Sequence, residues 1–317
     1  MDVITEELIR ALKRNTSEDQ NTVDLLMSII PVGKEAAYRR LRGEIPFTLD
    51  EAVSICRKMN VSLDLLIGVK HDNTYAFHLS AVFTEEPMTE YCRMMKEVAD
   101  GVEYIKKDPA CFLYMAYKAL PQEFLFRYQL LGKVYLYILL YQLYPQSVSK
   151  EFSKVQIPNE VHALQKKAIT AVQNVNSVLI FDKHIFTDFV EIVKYFQSME
   201  MISNDETAQI KKELHMMLND MEKCAVSGLS LYGKKLDIYI SHISFDCTYT
   251  YMSGAGYEAG AIGLYCVDFL SCDNPVICEN HKRWIKSLIR FSTLISVSGE
   301  LQRNEYFYYQ RSIIDML

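Results

Sequence analysis

The chain lacks the marks of an exported or membrane protein. Its first residues, MDVITEELIRALKR, are acidic and amphipathic, with no apolar core of the kind a secretory signal carries. Its most apolar stretch, Leu130–Tyr144 (LLGKVYLYILLYQLY), is interrupted by Lys133. That run is shorter than the ~20 residues a membrane helix needs, so it predicts a buried core helix and no membrane partner. The eight cysteines form no compact framework and include no C-x2-C pair. Buried thiols in a reducing, cytoplasmic setting are therefore expected, rather than disulfides or structural zinc. There is no repeat of 20–50 residues, no low-complexity tract and no G-x-S-x-G elbow.

Half of the 317 residues are hydrophobic and 23% are charged, which describes a globular chain of about two domains. The net charge of −6 excludes a protein coated in nucleic acid. The charge is uneven, however. Residues 1–70 carry ten Lys/Arg against eleven Asp/Glu, whereas residues 34–42 carry four against one. This basic island lies in VGKEAAYRRLRG (32–43), which reads as a short two-faced helix. Ala37 and Leu41 share the inner face, and Lys34, Glu35, Tyr38, Arg39 and Arg42 share the outer one. Gly43 ends the helix and Pro46 prevents early resumption. A short helix that is basic outside and anchored within suits a DNA major groove. The competing reading is a solvated face on which Glu35 pairs with Arg39 at i, i+4.

The surrounding segments predict four more helices. Thr5 can cap the first, with Leu8, Ile9 and Leu12 inward. Val23, Leu26, Met27 and Ile30 mark the second, which ends at Pro31. Thr48 and Glu51 form a capping box for the fourth, lined by Leu49, Ala52, Val53, Cys56 and Met59. Ser62 can cap a fifth through Leu63, Leu66 and Ile67 to Gly68.

The stretch VGKEAAYRRLRGEIPFTLDEAVSICRKMNVSLDLLIG, with its recognition helix, following Gly and VSLDLLIG ending, resembles the lambda-repressor-like (Cro-type) helix-turn-helix family. The resemblance covers residues 1–69. It implies a five-helix DNA-binding domain in which Lys34, Glu35 and Tyr38 face bases. It implies that Arg39 reads a base edge or a phosphate, and that Arg42 reaches the backbone. The family's usual Thr/Ser-Gln start of the second helix is absent here; Asn21 and Thr22 are the nearest substitutes for that phosphate contact. The turn is Pro31-Val32-Gly33 rather than Gly-hydrophobic-Ser.

The polar stretch VKHDNT (69–74) marks a boundary, with a hinge at 70–75 and a second domain over 76–317. Helical periodicity covers Tyr91–Ile105, Pro121–Tyr144, Pro158–Ile180 and Ile185–Met199. Eleven Tyr or Phe from Tyr104 to Tyr144 predict aromatic core packing, with an aromatic-lined pocket as the alternative. Ser203 and Glu206 open another capped helix to Gly228. Leu236–Tyr251, with a phase slip near His242, and Ala261–Leu270 predict two strands of one antiparallel hairpin. Gly254, Gly256 and Gly260 then belong to its loop rather than to a phosphate cradle. Helices over Glu279–Val297 and Leu301–Leu317 close the chain. The fold class expected is mainly α, with a small β-hairpin near residues 236–270.

Cys266, Cys272 and Cys278 with His281 lack the close pairing of a structural metal site. His162 and His184, expected on helices, and His242, expected in a strand, carry no recognisable base–nucleophile pattern. No active site, metal or cofactor is expected. The sequence thus predicts a bacterial DNA-binding transcriptional regulator and not an enzyme. It would form a homodimer through the C-terminal domain on palindromic double-stranded DNA, and that domain would be open to a small-molecule effector. Two alternatives stand beside it: an antitoxin-like protein-interaction module, and an enzyme domain carrying a DNA-targeting head.

Overall fold

The computed structural model describes residues 3–14, 21–59, 63, 77–79, 86–264 and 268–317. The chain divides into two compact units, Met1–Ala76 and Phe77–Leu317. The fifth head helix (62–68) and the hinge (70–75) lie outside the described residues, except Leu63, which packs on the head's core.

The head contains α1 (Val3–Arg14), α2 (Thr22–Ile29), α3 (Lys34–Leu41) and α4 (Leu49–Met59). Leu8, Leu12, Val23, Leu25, Leu26, Ile30, Ala37, Ala52, Ile55 and Cys56 form its core. Three expectations shift. Helix α1 starts at Val3, so Thr5 is a buried first-turn residue and not its cap. In α2, Leu25 is buried and Met27 is exposed, because this helix packs against α1, α3 and α4. In α4, Ile55 takes the inward place and Leu49 stands in solvent.

The second unit is not mainly α with one hairpin. It is built on an eight-stranded mixed sheet in the order β1-β7-β6-β5-β2-β3-β4-β8. In chain order its elements are β1 (His78–Leu79), α5 (Pro87–Ile105), β2 (Phe112–Tyr117), α6 (Gln122–Leu125), α7 (Gln129–Leu143) and α8 (Asn159–Gln173). Then come β3 (Ser177–Phe181), α9 (Thr187–Ser198), α10 (Asn204–Ser227), β4 (Leu236–Ser241), β5 (Tyr249–Gly254), β6 (Tyr257–Leu264) and β7 (Asp268–Cys272). Helix α11 (Pro275–Ile289), β8 (Ser292–Leu294) and α12 (Glu300–Ile314) finish it. Strands β2, β3 and β4 are parallel neighbours, and every other pairing is antiparallel.

The period-two alternation of each strand feeds two cores. Leu113, Met115, Tyr117, Leu179, Phe181, Leu236, Ile238 and Ile240 join the larger core with residues of α5–α10 and α12. Ala116, Val178, Ile180 and Tyr251 face α11 through Cys278, Ile285 and Leu288 on the other side. Both parallel crossovers therefore bury their helices against one face of the sheet.

Only the end of the expected hairpin forms: Tyr249–Tyr251 pair antiparallel with Gly260–Ile262, while Leu236–Ser241 make a different strand. Strand β4 pairs with β3 and β8, whereas β5 pairs with β6 across the two-residue turn Ala255-Gly256. Both turn residues have positive φ, 52° and 74°, as a tight hairpin turn of this hand requires. Gly254 has a steric reason: a Cβ there would stand 2.6 Å from the Ile105 carbonyl oxygen. The phase slip at His242 is the end of β4, not a bulge. The expected helix over Leu130–Tyr144 is α7, with Leu131, Val134, Leu136, Tyr137 and Leu139 buried. Its Lys133 lies over the Phe152 ring at 4.1 Å. Among the described residues no helix is long and apolar enough to cross a membrane.

Candidate nucleic-acid interface

Helix α3 is fixed from inside and open outside. Ala37 is fully buried, Leu41 and Val32 pack on the head's core, and Gly33 enters the helix in an extended conformation. Lys34, Glu35, Tyr38, Arg39 and Arg42 are all exposed. The five outward positions named from the sequence therefore lie together on one accessible face. Lys34 and Tyr38 make no side-chain hydrogen bond or ion pair among the described residues, so both are available to a ligand.

The end of α3 explains the state of its two outer arginines. Gly43 takes a positive φ of 72°. The Gly43 amide donates to the Arg40 carbonyl at 2.8 Å and the Glu44 amide donates to the Arg39 carbonyl at 2.9 Å. This reversal, a Schellman motif, brings Glu44 back over the last turn. Its carboxylate accepts from Arg42 Nε at 2.6 Å and lies 3.4 Å from Arg39 Nε. The hydrogen bond from Arg42 holds the Glu44 carboxyl below its ordinary pKa, and Glu44 in turn raises that of Arg42. Arg39 is thus paired with Glu44 and not with Glu35. Glu44 was not singled out from the sequence; its position two residues beyond Arg42, just after a helix-ending Gly, is the signal that could have found it.

Arg40 has a different task. It forms a two-pronged ion pair with Glu51 at 3.1 and 2.8 Å, with both side chains largely buried. Glu51 also receives the Thr48 amide at 2.9 Å, while Thr48 Oγ1 accepts from the Glu51 amide at 3.3 Å. The predicted capping box is therefore present, and it doubles as the anchor of α3 on α4. Partial burial pushes the Glu51 carboxyl up, but Arg40 and the Thr48 amide bring it below its ordinary value.

At the other end of the turn, Asn21 caps α2: its Oδ1 accepts from the Val23 amide at 3.1 Å. The side-chain oxygen is thereby committed to the helix, and the amide Nδ2 is the donor left for a phosphate. Thr22 is the first residue of α2 and half-buried.

Family models, curated proteins and solved structures all fail to match this chain. What the interface can do has to come from its own chemistry. Arg and Lys donate to guanine O6/N7 and to phosphates, Glu35 can accept from cytosine N4, and Tyr38 offers a ring and a hydroxyl.

The remaining candidates are scattered. His162 is on α8, bonded to Gln165 Oε1 at 3.1 Å. His184 is in the turn before α9 and not on a helix, and His242 follows β4 instead of lying within a strand. Cys272 and Cys278 are buried; the Cys278 thiol, pushed up to about 11 by burial, donates to the Cys272 carbonyl. Cys266 lies outside the described residues.

Proposed function

We propose that the chain is a sequence-specific DNA-binding transcriptional regulator, reading double-stranded DNA through α3. The observation that carries this is the grouping of exposed Lys34, Tyr38, Arg39 and Arg42 on one face of a short helix whose opposite face is locked into a core. A groove-binding helix needs such rigidity, because a donor displaced by an ångström loses its base. Glu44 neutralises the arginines in the free protein, and phosphates replace it on binding. One such helix contacts only a few base pairs. Useful selectivity therefore calls for two heads on half-sites about one helical turn, ~34 Å, apart, with the second unit as the dimerising part.

Selection from a random double-stranded oligonucleotide pool, followed by salt titration of the winning site, tests this. The expected result is a palindromic site whose affinity falls steeply with salt. Lys34→Ala, Tyr38→Ala or Arg39→Ala should relax base preference by ~1–3 kcal/mol per lost contact, and Arg42→Ala should weaken all sites alike. Absence of any DNA binding at low salt would overturn the proposal.

A further inference from the structure

The three parallel strands end in register: Tyr117 pairs with Phe181, and Phe181 with Ile240. Lys118 and Asp182 follow directly, so they emerge side by side at the carboxyl edge of the sheet. From β4 the chain must cross β3 and β2 to reach β5, and residues 242–248 make that crossing along this edge. Phe245 anchors the crossing segment in the core against α11. Open parallel sheets bind their ligands at such edges, where loops leave the carboxyl ends of the strands.

The chemistry gathered there has one centre. The Asp182 side chain is only 3% exposed, and both of its oxygens accept hydrogen bonds from within the fold. Its Oδ2 receives Lys118 Nζ at 3.2 Å and Ser244 Oγ at 2.9 Å; its Oδ1 receives the His184 amide at 2.9 Å. Lys118 Nζ also donates to Ser244 Oγ at 2.9 Å. The carboxylate cannot reach a ligand, but the groups it holds can. Lys118 is a third exposed and, after two bonds, has one N–H left. His184 is exposed; Tyr309 OH lies 2.9 Å from its Nδ1, and Nε2 makes no hydrogen bond among the described residues. Lys118 Nζ and the His184 backbone amide thus bond the two oxygens of one buried acid, which brings an ammonium and an exposed imidazole to the same sheet edge.

We propose that this edge binds a small phosphate-bearing ligand, with Lys118 as its charge partner and His184 Nε2 as its second donor. A compact ammonium and an imidazole suit a tetrahedral phosphate. A planar carboxylate is usually met by the two-pronged fork of an arginine, and no arginine takes part in this cluster. Ser244, on the crossing segment, links occupancy of the site to the position of that segment. The binding step does not depend on the head; only its use as a regulatory signal rests on the function proposed above.

The test is titration of the full chain with inorganic phosphate at constant ionic strength, read by calorimetry and thermal shift, with acetate in parallel. The wild type should bind phosphate saturably and more tightly than acetate. Lys118→Met should weaken phosphate binding by roughly tenfold or more, the loss expected for one charged hydrogen bond. Because that variant strips Asp182 of a partner, His184→Gln serves as the second probe; it keeps the backbone bond to Asp182 and should weaken binding several-fold. Lys167→Met, on a surface pair with Asp100, should bind as the wild type does. A wild type without saturable phosphate binding, equal affinity for acetate, or undiminished binding by both site variants would overturn the assignment. A lysine that only ties down the crossing segment would shift the melting temperature equally with and without phosphate, which would also refute it.

Discussion

Charge is exchangeable on the outer face of α3 and fixed at the carboxyl edge of the second unit's parallel strands. On α3 the Arg39–Glu44 and Arg42–Glu44 pairs stand in water, their side chains 45–58% exposed. At the sheet edge Asp182 is almost wholly enclosed by Lys118, Ser244 and the His184 amide. An exposed pair contributes little to stability and opens when a better partner arrives. A buried carboxylate has surrendered its hydration and depends on every donor it retains. The difference separates a surface that trades partners from a scaffold that holds one lysine in place.

The largest effect should follow from breaking the fixed side. Asp182→Ala leaves the His184 amide and Ser244 without their acceptor and Lys118, a third exposed, without its carboxylate, which together cost roughly 3–4 kcal/mol. For a unit of this size that is a fall of about 10 °C in its thermal transition, at ~2–4 °C per kcal/mol. A fall of only a degree or two in calorimetry would mean that the Asp182 pair is as exchangeable as those on α3.

Next in size is a buried acid with no cation paired to it among the described residues. Glu123, on α6, is fully enclosed; the Tyr117 hydroxyl donates to its Oε2, and burial raises its pKa from 4.5 to about 7. Its Oε1 and the nearby Gln173 Oε1 have no hydrogen-bond partner, as expected where a proton replaces a counter-ion. The folded state keeps the proton that the unfolded chain releases near pH 4.5. Stability from this group is therefore complete below pH 4.5 and declines as pH rises to about 7, by about 3 kcal/mol in all. Above that it is flat. Glu123→Gln should remove this slope, so the variant gains on the wild type between pH 4.5 and 7.5 in urea denaturation. Parallel curves for the two proteins would show that Glu123 is ionised in the fold.

The same contrast explains what could be read from the chain. In the head, structure follows from local signals: three- and four-residue spacing, the Thr48–Glu51 box, Gly43 after the last turn. The five outward residues of α3 follow from that periodicity and do share a face. The second unit is governed by pairings far apart in sequence, such as Phe112 with Ser253 and Ser177 with Leu236. Strand β3 (SVLIF) is buried at all five positions, so it shows no alternation and merges with the helical pattern before it. Strand β2 is hidden likewise among the aromatics of 104–144. With those strands unseen, Lys118 and Asp182 were two unrelated polar residues, and the site they make could not be suspected. Arg40 was given no role from the sequence for a related reason: only the fold reveals Glu51 across from it.

Within the head, Glu51→Ala tests the largely buried Arg40–Glu51 pair. It removes the carboxylate that receives the Thr48 amide and pairs with Arg40, while Thr48 Oγ1 still caps the residue-51 amide; the loss is about 2 kcal/mol. Thermal unfolding should register this loss, and DNA affinity should drop with it because α3 loses its tether. Loss of affinity at unchanged stability would instead place Glu51 in the interface.

Glu44→Gln should scarcely affect stability, and yet it separates the two kinds of charge most cleanly. The substitution preserves the shape of the side chain, and the backbone reversal at Gly43 does not depend on the carboxylate. What disappears is the negative group that Arg39 and Arg42 share. Both arginines then meet phosphates without first leaving a partner, and the head loses one charge that repels DNA. Affinity should rise by roughly three- to tenfold at low salt, with a log–log salt dependence about one unit steeper, while the melting temperature stays put. A fall in affinity would reverse the role of Glu44, making it the residue that aims the arginines at DNA instead of the one that DNA displaces.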